Sequence, residues 1–176
     1  MRSLALIVLL CAAASLVAQA ATPTDWEIYL IAPSPERARA VTHIEYSVDK
    51  DATASGERLE KDLGILRYEV ASGDEQSARL AFRAQRQFGA SAAIAEYLDT
   101  IIGRAARSNP RAYLRAAFEY GGECTGLKAT GDFFVDRDEA RATEDAARAA
   151  ALRSITDAKL IAQRDKCLAA LAPAAH

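Results

Sequence analysis

The sequence predicts an all-α fold of about seven amphipathic helices arranged in antiparallel αα-hairpins. The 176 residues include 40 alanines and 17 arginines, which favour helix, but only 9 glycines and 5 prolines. Apolar residues recur three and four positions apart between capping residues, as they do on the buried face of a helix. With 51% hydrophobic residues, the chain is long enough to bury one core.

The first 20 residues have the pattern of a cleavable secretory signal. A positive start at Arg2 precedes an apolar run from Leu4, and small residues end at Ala20, the expected cleavage point. An N-terminal membrane anchor is the alternative, although the apolar run is short for a span. We therefore expect a protein that is exported to the periplasm or secreted, and the high alanine and arginine content with only 5 lysines is typical of a GC-rich bacterial genome. Its mature chain, 21–176, should form a single α-helical domain with a frayed C-terminal tail and no transmembrane segment.

Capping residues and prolines predict the first two helices. Thr24 or Asp25 can cap the first helix, which must end at Pro33 because the residue before a proline avoids helical torsion angles. Ser34 and Pro35 are residue types preferred at the cap and first position of the second helix. The apolar positions of these helices are Trp26, Leu30 and Ile31, then Ala40, Val41, Ile44 and Val48.

Glycines and capping residues separate the four central helices. Gly73 ends the third helix and Asp74 caps the fourth, which ends at Gly89. Asn109 caps the sixth, with Pro110 at its first position. The apolar positions are Leu59, Leu63, Leu66 and Val70 in the third helix, Ala78, Ala81 and Phe88 in the fourth, and Ile94, Leu98, Ile101 and Ala105 in the fifth.

Two of these helix pairs are similar to each other. The same separation, 35 residues, lies between Leu59 and Ile94 and between the capping residues Asp74 and Asn109. This pattern predicts two stacked αα-hairpins, as in short tetratricopeptide- or HEAT-type arrays. The alternative is an ordinary helical bundle whose helices have similar lengths.

The C-terminal third begins with an irregular, glycine-rich segment. A short helix is predicted at residues 124–128. Asp136 and Glu139 have the spacing of a capping box, which predicts a seventh helix ending at about Ile155. Asp157 is expected to cap the last helix.

The cysteines predict one disulfide bond. Cys11 would leave with the signal, so Cys124 and Cys167 remain, and two cysteines in an oxidising compartment are expected to pair. Two buried free thiols are the alternative. No clustered ligand spacing suggests zinc, and the segment from Asp49 to Glu60 resembles a calcium loop but has Ala54 where the turn needs glycine, so we expect no metal and no cofactor.

Catalytic motifs are not found in the sequence. There is neither a G-x-S-x-G nucleophile elbow nor a glycine-rich phosphate loop, and His43 is the only histidine before the tail. We therefore expect no enzyme and name no catalytic residue. The alternative is a cell-envelope hydrolase that uses a carboxylate pair such as Glu119 and Asp132.

Charge is distributed unevenly although the formal net charge is only −2. Residues 76–118 contain seven arginines and two acidic residues, whereas residues 21–75 contain 12 acidic residues and 6 basic ones. Helical spacing places several arginines on shared faces, which predicts an arginine-lined surface for an anionic partner. The alternative is that these arginines pair with the acidic N-terminal helices.

These observations predict a non-enzymatic, exported helical protein that binds a protein or peptide, in particular an anionic one. Nucleic acid is a poor candidate because the chain is net negative and carries an export signal. The residues expected to bind the partner are Arg79, Arg83, Arg86, Arg111, Arg115, Phe133 and Phe134.

Overall fold

The computed structural model describes residues 22–44, 52–129 and 138–172, and in these ranges it contains eight α-helices and no strand. The predicted all-α fold is therefore confirmed. The expected signal, the frayed tail, Val48, Asp132, Phe133, Phe134 and Asp136 lie outside the described residues. The helices are α1 (Asp25–Ile31), α2 (Pro35–Ala40), α3 (Ala52–Ala71), α4 (Glu75–Phe88), α5 (Ala92–Ser108), α6 (Pro110–Glu119), α7 (Asp138–Arg153) and α8 (Ile161–Leu171).

Helix α1 has the predicted start but a different buried face. Thr24 is its N-cap, and a capping box forms because the Thr24 and Glu27 side chains each accept from the other residue's backbone N–H. Trp26 and Tyr29 are buried, and the Tyr29 hydroxyl shares a hydrogen bond of 2.8 Å with Ser77 of α4. Ile31 is 80% exposed, so its assignment to the apolar face was wrong.

Helix α2 begins as predicted, with Ser34 as N-cap and Pro35 in the first turn, but it ends at Ala40. Ile44 is buried beyond the helix end rather than on a helical face. Its backbone N–H donates to Gln87 Oε1 of α4 at 3.1 Å, and the Gln87 amide donates to its carbonyl. A side-chain amide therefore satisfies the backbone groups that a longer helix would have paired.

Helices α3 to α6 form the two stacked hairpins that the repeat predicted, with α3 packed on α5 and α4 packed on α6. Asp74 and Asn109 are the N-caps of α4 and α6, and each side chain accepts from a backbone N–H in the first turn. The Asn109 amide also donates to the Gly73 carbonyl at 2.8 Å, and the Ser108 hydroxyl donates to the Val70 carbonyl at 2.8 Å. The turns of the two hairpins are thus tied together.

Apolar side chains from all four helices of the stack, α3 to α6, form one core. Its fully buried members include Leu66 of α3, Leu80 of α4, Leu98 and Ile101 of α5, and Leu114 of α6. Helices α1 and α2 cover the α4 side of the stack, while α7 and α8 cover α5 and α6. The outer surfaces of α4 and α6 remain exposed between these two coverings.

The segment after α6 is a series of turns, so the short helix predicted at 124–128 was wrong. Gly121, Gly122 and Gly126 have positive φ angles of 116°, 73° and 74°, which a continuous helix does not permit. The Tyr113 hydroxyl donates to the Thr125 carbonyl at 3.0 Å and fixes this loop to α6.

Cys124 and Cys167 form the predicted disulfide bond, which joins the loop after α6 to α8 across a sequence separation of 43 residues. Cys167 is fully buried. The Gln163 amide, one turn earlier on α8, donates to the Gly122 carbonyl at 3.0 Å. The disulfide and this hydrogen bond hold the loop against the same face of α8.

Asp157 does not cap α8, which begins later than predicted, at Ile161. Instead, its side chain accepts from the Lys159 N–H at 3.1 Å in the turn that precedes the helix. No helix in the described residues is both long and apolar enough to cross a membrane.

Candidate functional site

The exposed surface between α4 and α6 carries four charged side chains at the corners of a square. Glu75 and Arg79 are one turn apart on α4, and Arg115 and Glu119 are one turn apart on α6. Residues four positions apart are neighbours on a helix surface. Because Glu75 pairs with Arg115 and Arg79 pairs with Glu119, the two helices run parallel and the charges alternate around the square. We call these four residues the charge square.

The Arg79–Glu119 side of the charge square is bidentate. Arg79 Nε lies 2.8 Å from one Glu119 carboxylate oxygen and 2.9 Å from the other, and a terminal guanidinium nitrogen donates to Oε1. These hydrogen bonds lower the pKa of Glu119 and raise that of Arg79. Such paired geometry selects arginine over lysine.

The opposite side is a single ion pair. Arg115 Nη1 lies 3.0 Å from Glu75 Oε1, and both side chains are about half exposed. Exposed ion pairs of this kind contribute between about 0 and 1 kcal/mol to folding. The ion pairs therefore orient the four side chains, but they contribute little to the folding stability of the protein.

A groove of about 320 Å³ opens between the rows of the charge square. Ala112 and Ala116 of α6 are among its lining residues and are themselves buried. Arg39 of α2 and Gln76 of α4 also line the groove. Small apolar residues thus border a recess that is rimmed by charged groups, and ligand sites of proteins usually combine these two features.

The other arginines of the predicted surface lie around this face. Arg83 of α4 donates to the Tyr120 hydroxyl at 3.2 Å. Arg111 of α6 lies 3.4 Å from Asp157 in the turn before α8. Arg86 is exposed in the last turn of α4. The structure therefore brings Arg79, Arg83, Arg111 and Arg115 onto one region.

These arginines have partners within the chain, but only Arg115 pairs with the acidic N-terminal segment that the second of the two interpretations named. The carboxylates differ from those expected, however. Of Glu75, Glu119 and Asp157, only Glu75 belongs to the acidic segment 21–75. The face is consequently a pattern of both signs and not a purely cationic stripe.

Among the large apolar side chains of α6, Phe118 stands out because it is 71% exposed. It lies three residues after Arg115 and directly precedes Glu119. Water contact of a whole aromatic ring is unfavourable, and such rings are enriched at the centres of protein interfaces. Covering the Phe118 ring would therefore remove apolar surface from water.

The arrangement around Glu119 does not favour the alternative of a hydrolase. A general acid needs a carboxyl group whose pKa is raised, and Arg79 lowers that of Glu119. Its proposed partner, Asp132, lies outside the described residues, as do Phe133 and Phe134. His43 is exposed after the end of α2. Within the described ranges, no cluster of three or more histidine, cysteine, aspartate or glutamate side chains could hold a metal ion.

Three contributors to this face were missed by the sequence analysis: Glu75, Tyr120 and Phe118. The signal for Glu75 was available, since Glu75–Arg79 and Arg115–Glu119 are both opposite charges four residues apart. Phe118 was detectable as an aromatic residue on the polar side of α6. Tyr120 gave no signal, because its position depends on how the chain leaves α6.

Comparison with known proteins gave no match to this chain among family models, curated proteins or solved structures.

Proposed function

We propose that this chain is an exported, non-enzymatic protein that binds another protein or a peptide through the surface formed by the charge square and Phe118. The observation that carries the proposal is the exposed Phe118 ring next in sequence to Glu119, together with the alternating charges and the groove that alanines border. Protein interfaces combine an aromatic anchor with a polar rim in this way.

The energetics of the charged groups support this role. Each ion pair of the charge square is partly exposed, so it can be rearranged toward a partner at small cost. When a partner excludes water, the same charges interact more strongly and penalise every partner with the wrong pattern. Because the charge square is neutral as a whole, it favours a partner that carries both signs over a uniformly anionic one.

Export is supported by the N-terminal pattern and by the Cys124–Cys167 bond, since disulfides persist in oxidising compartments. We expect the purified protein from an exporting bacterial host to begin at Ala21 and to be found in the periplasm or medium. N-terminal sequencing and cell fractionation measure this directly. A protein that retains Met1 in the cytoplasm would contradict it.

Site-specific photocrosslinking tests the binding surface. A photoreactive phenylalanine analogue replaces Phe118 in the full chain, produced in the cells that naturally make it. The matched control carries the analogue at Tyr68, which is 72% exposed and lies on α3, a helix that contributes no residue to the charge square or to the groove. We expect a discrete adduct from position 118 and none from position 68. Identical products from both positions, or none from 118, would refute the proposal.

A further inference from the structure

We propose that the partner of this surface is a second copy of the same chain, bound about a twofold axis that crosses α4 and α6 at right angles. This inference rests on the proposed function and specifies its partner. It follows from the order of the charges, from the position of Phe118 and from the extent of the face.

Alternating charges at the corners of a square can complement themselves. Consider a twofold axis that lies in the plane of the interface and runs perpendicular to the helices. It places each helix antiparallel against the same helix of the other copy. Glu75 then faces Arg79 of the other copy, and Arg115 faces its Glu119. All four corners thus meet an opposite charge. A uniformly cationic stripe would repel its own copy in the same arrangement. The negative charges of Glu75 and Glu119 are therefore what makes self-association possible.

A second axis, parallel to the helices, would also match the charges, because it lays α4 on α6. Phe118 decides between them. The midpoint between Arg115 and Glu119 lies at residue 117, so Phe118 is about 1.5 Å from it along the helix. The perpendicular axis therefore brings the two Phe118 rings together, whereas the parallel axis leaves each ring at the outer edge of the interface.

Packing of these rings on each other removes the most exposed aromatic surface of α6 from water in both copies at once. Aromatic pairs add attraction beyond the area that they bury.

The size of the face predicts a weak dimer. α4 has 14 residues and α6 has 10, which correspond to helix lengths of about 21 Å and 15 Å. With two helices side by side, the contact area per copy falls well below the roughly 800 Å² of a standard stable interface. We therefore expect a dissociation constant in the micromolar range or higher. Salt should raise it further because the charges are screened.

Charge-swapped variants provide the test, in the mature full chain with its disulfide intact. The pair swap, Arg79→Glu with Glu119→Arg, preserves the internal ion pairs but places like charges opposite each other about the perpendicular axis. The full swap adds Glu75→Arg and Arg115→Glu, which restores alternation with every sign reversed. Circular dichroism and thermal melting confirm that each variant is folded as the wild type is.

Analytical ultracentrifugation from about 1 µM to about 1 mM covers the range in which small interfaces dissociate. We expect the wild type to dimerise, the pair swap to lose at least tenfold in association constant, and the full swap to recover it. The full swap should form no mixed dimers with the wild type. Phe118→Ser should weaken association, while Tyr68→Ser should not.

A wild type that remains monomeric throughout would overturn the proposal. So would a pair swap that dimerises as well as the wild type, or free mixing of the wild type with the full swap. The photocrosslinking experiment separates the two levels of inference. An adduct at position 118 to a different protein, together with a monomeric wild type, retains the proposed function and refutes self-association.

Discussion

Gly103 of α5 and Gly126 of the loop after α6 are in direct backbone contact. A Cβ atom on Gly103 would collide with the Gly126 carbonyl oxygen, and a Cβ on Gly126 would lie 2.9 Å from the Gly103 nitrogen. The guanidinium of Arg148 approaches the same point from α7, with its Nη2 atom 2.9 Å from the Cβ position of Gly103. Three segments of the chain thus meet where neither glycine has room for a side chain.

We expect Gly103→Ala to destabilise the protein by about 1 to 3 kcal/mol, since one methyl group must displace backbone or the buried Arg148. Gly64→Ala on α3 is the matched control, because a Cβ there meets nothing within 4 Å. It should stabilise the helix by up to about 1 kcal/mol. Denaturant unfolding of both variants measures the difference, and equal effects would contradict this account.

Arg148 is the largest charged side chain of the core and is only 1% exposed. Its Nη1 donates to the Leu127 carbonyl, and its Nε lies 3.2 Å from Glu144 without hydrogen-bond geometry. Burial lowers the pKa of Arg148. We expect Arg148→Met to cost about 3 kcal/mol, because the buried Leu127 carbonyl loses its donor and Glu144 loses the buried one of its two arginine partners.

Arg107 provides the control for that substitution. It pairs with the same Glu144 at 2.9 Å, but its own side chain is 62% exposed. Arg107→Met should cost less than about 1 kcal/mol in the same unfolding measurement. If the two variants were equally destabilised, burial of Arg148 would not be the cause of its effect.

Reduction of the disulfide should lower the thermal stability of the mature protein. The chain-entropy model assigns roughly 4 kcal/mol to a loop of this length, because the bond restricts the unfolded chain. Calorimetry with and without reductant measures the shift. The double variant Cys124→Ser, Cys167→Ser should melt near the reduced wild type and show no response to reductant. A melting temperature unchanged by reduction would exclude a stabilising bond.

The ion pair of Arg79 and Glu119 predicts a pH dependence with a defined sign. Arg79 holds the pKa of Glu119 below its ordinary value of 4.5, so the unfolded chain binds this proton more readily than the folded one. The stabilisation is therefore fully present above the unfolded pKa and is lost as pH falls through the lower folded pKa. It should not exceed about 1 kcal/mol because the pair is partly exposed.

NMR titration of the Glu119 carboxyl measures this directly. We expect its pKa to rise in Arg79→Gln and to rise less in Arg83→Gln, since Arg83 acts on Glu119 through its charge alone and donates its hydrogen bond to Tyr120. The stability difference between the wild type and Arg79→Gln should disappear at low pH. A Glu119 pKa that is the same with and without Arg79 would disprove the assigned cause.

Local signals in the sequence predicted the helix starts well. Thr24, Ser34, Asp74 and Asn109 all cap helices, because a cap depends only on the few residues that follow it. The disulfide was predictable because two cysteines allow one pairing. Asp157 was misassigned because the same residue type also stabilises turns.

Features that depend on tertiary contacts were not predictable. Glu144 and Arg148 are four positions apart, as partners on one helix face are, but the alanine-rich sequence of α7 gives no sign that the Arg148 guanidinium is buried. Ile44 was assigned to a helix because its spacing suits one, whereas Gln87 of α4 holds it in an irregular segment. At the candidate site, the arginines were found but their pairing with Glu119 and Glu75 was not, since each pair joins residues 40 positions apart.

The stack of hairpins is closed at both ends within the chain. Helical arrays grow by placing one hairpin on the next, and terminal elements with a polar outer side stop that growth. Here Tyr29 and Gln87 fasten the N-terminal elements over α4, and the Cys124–Cys167 bond fastens α8 beside α6. These elements occupy the positions where an additional repeat would pack on α4 or on α5 and α6. Assembly through the lateral face of α4 and α6 would be limited by symmetry to pairs, and filaments are excluded for that geometry.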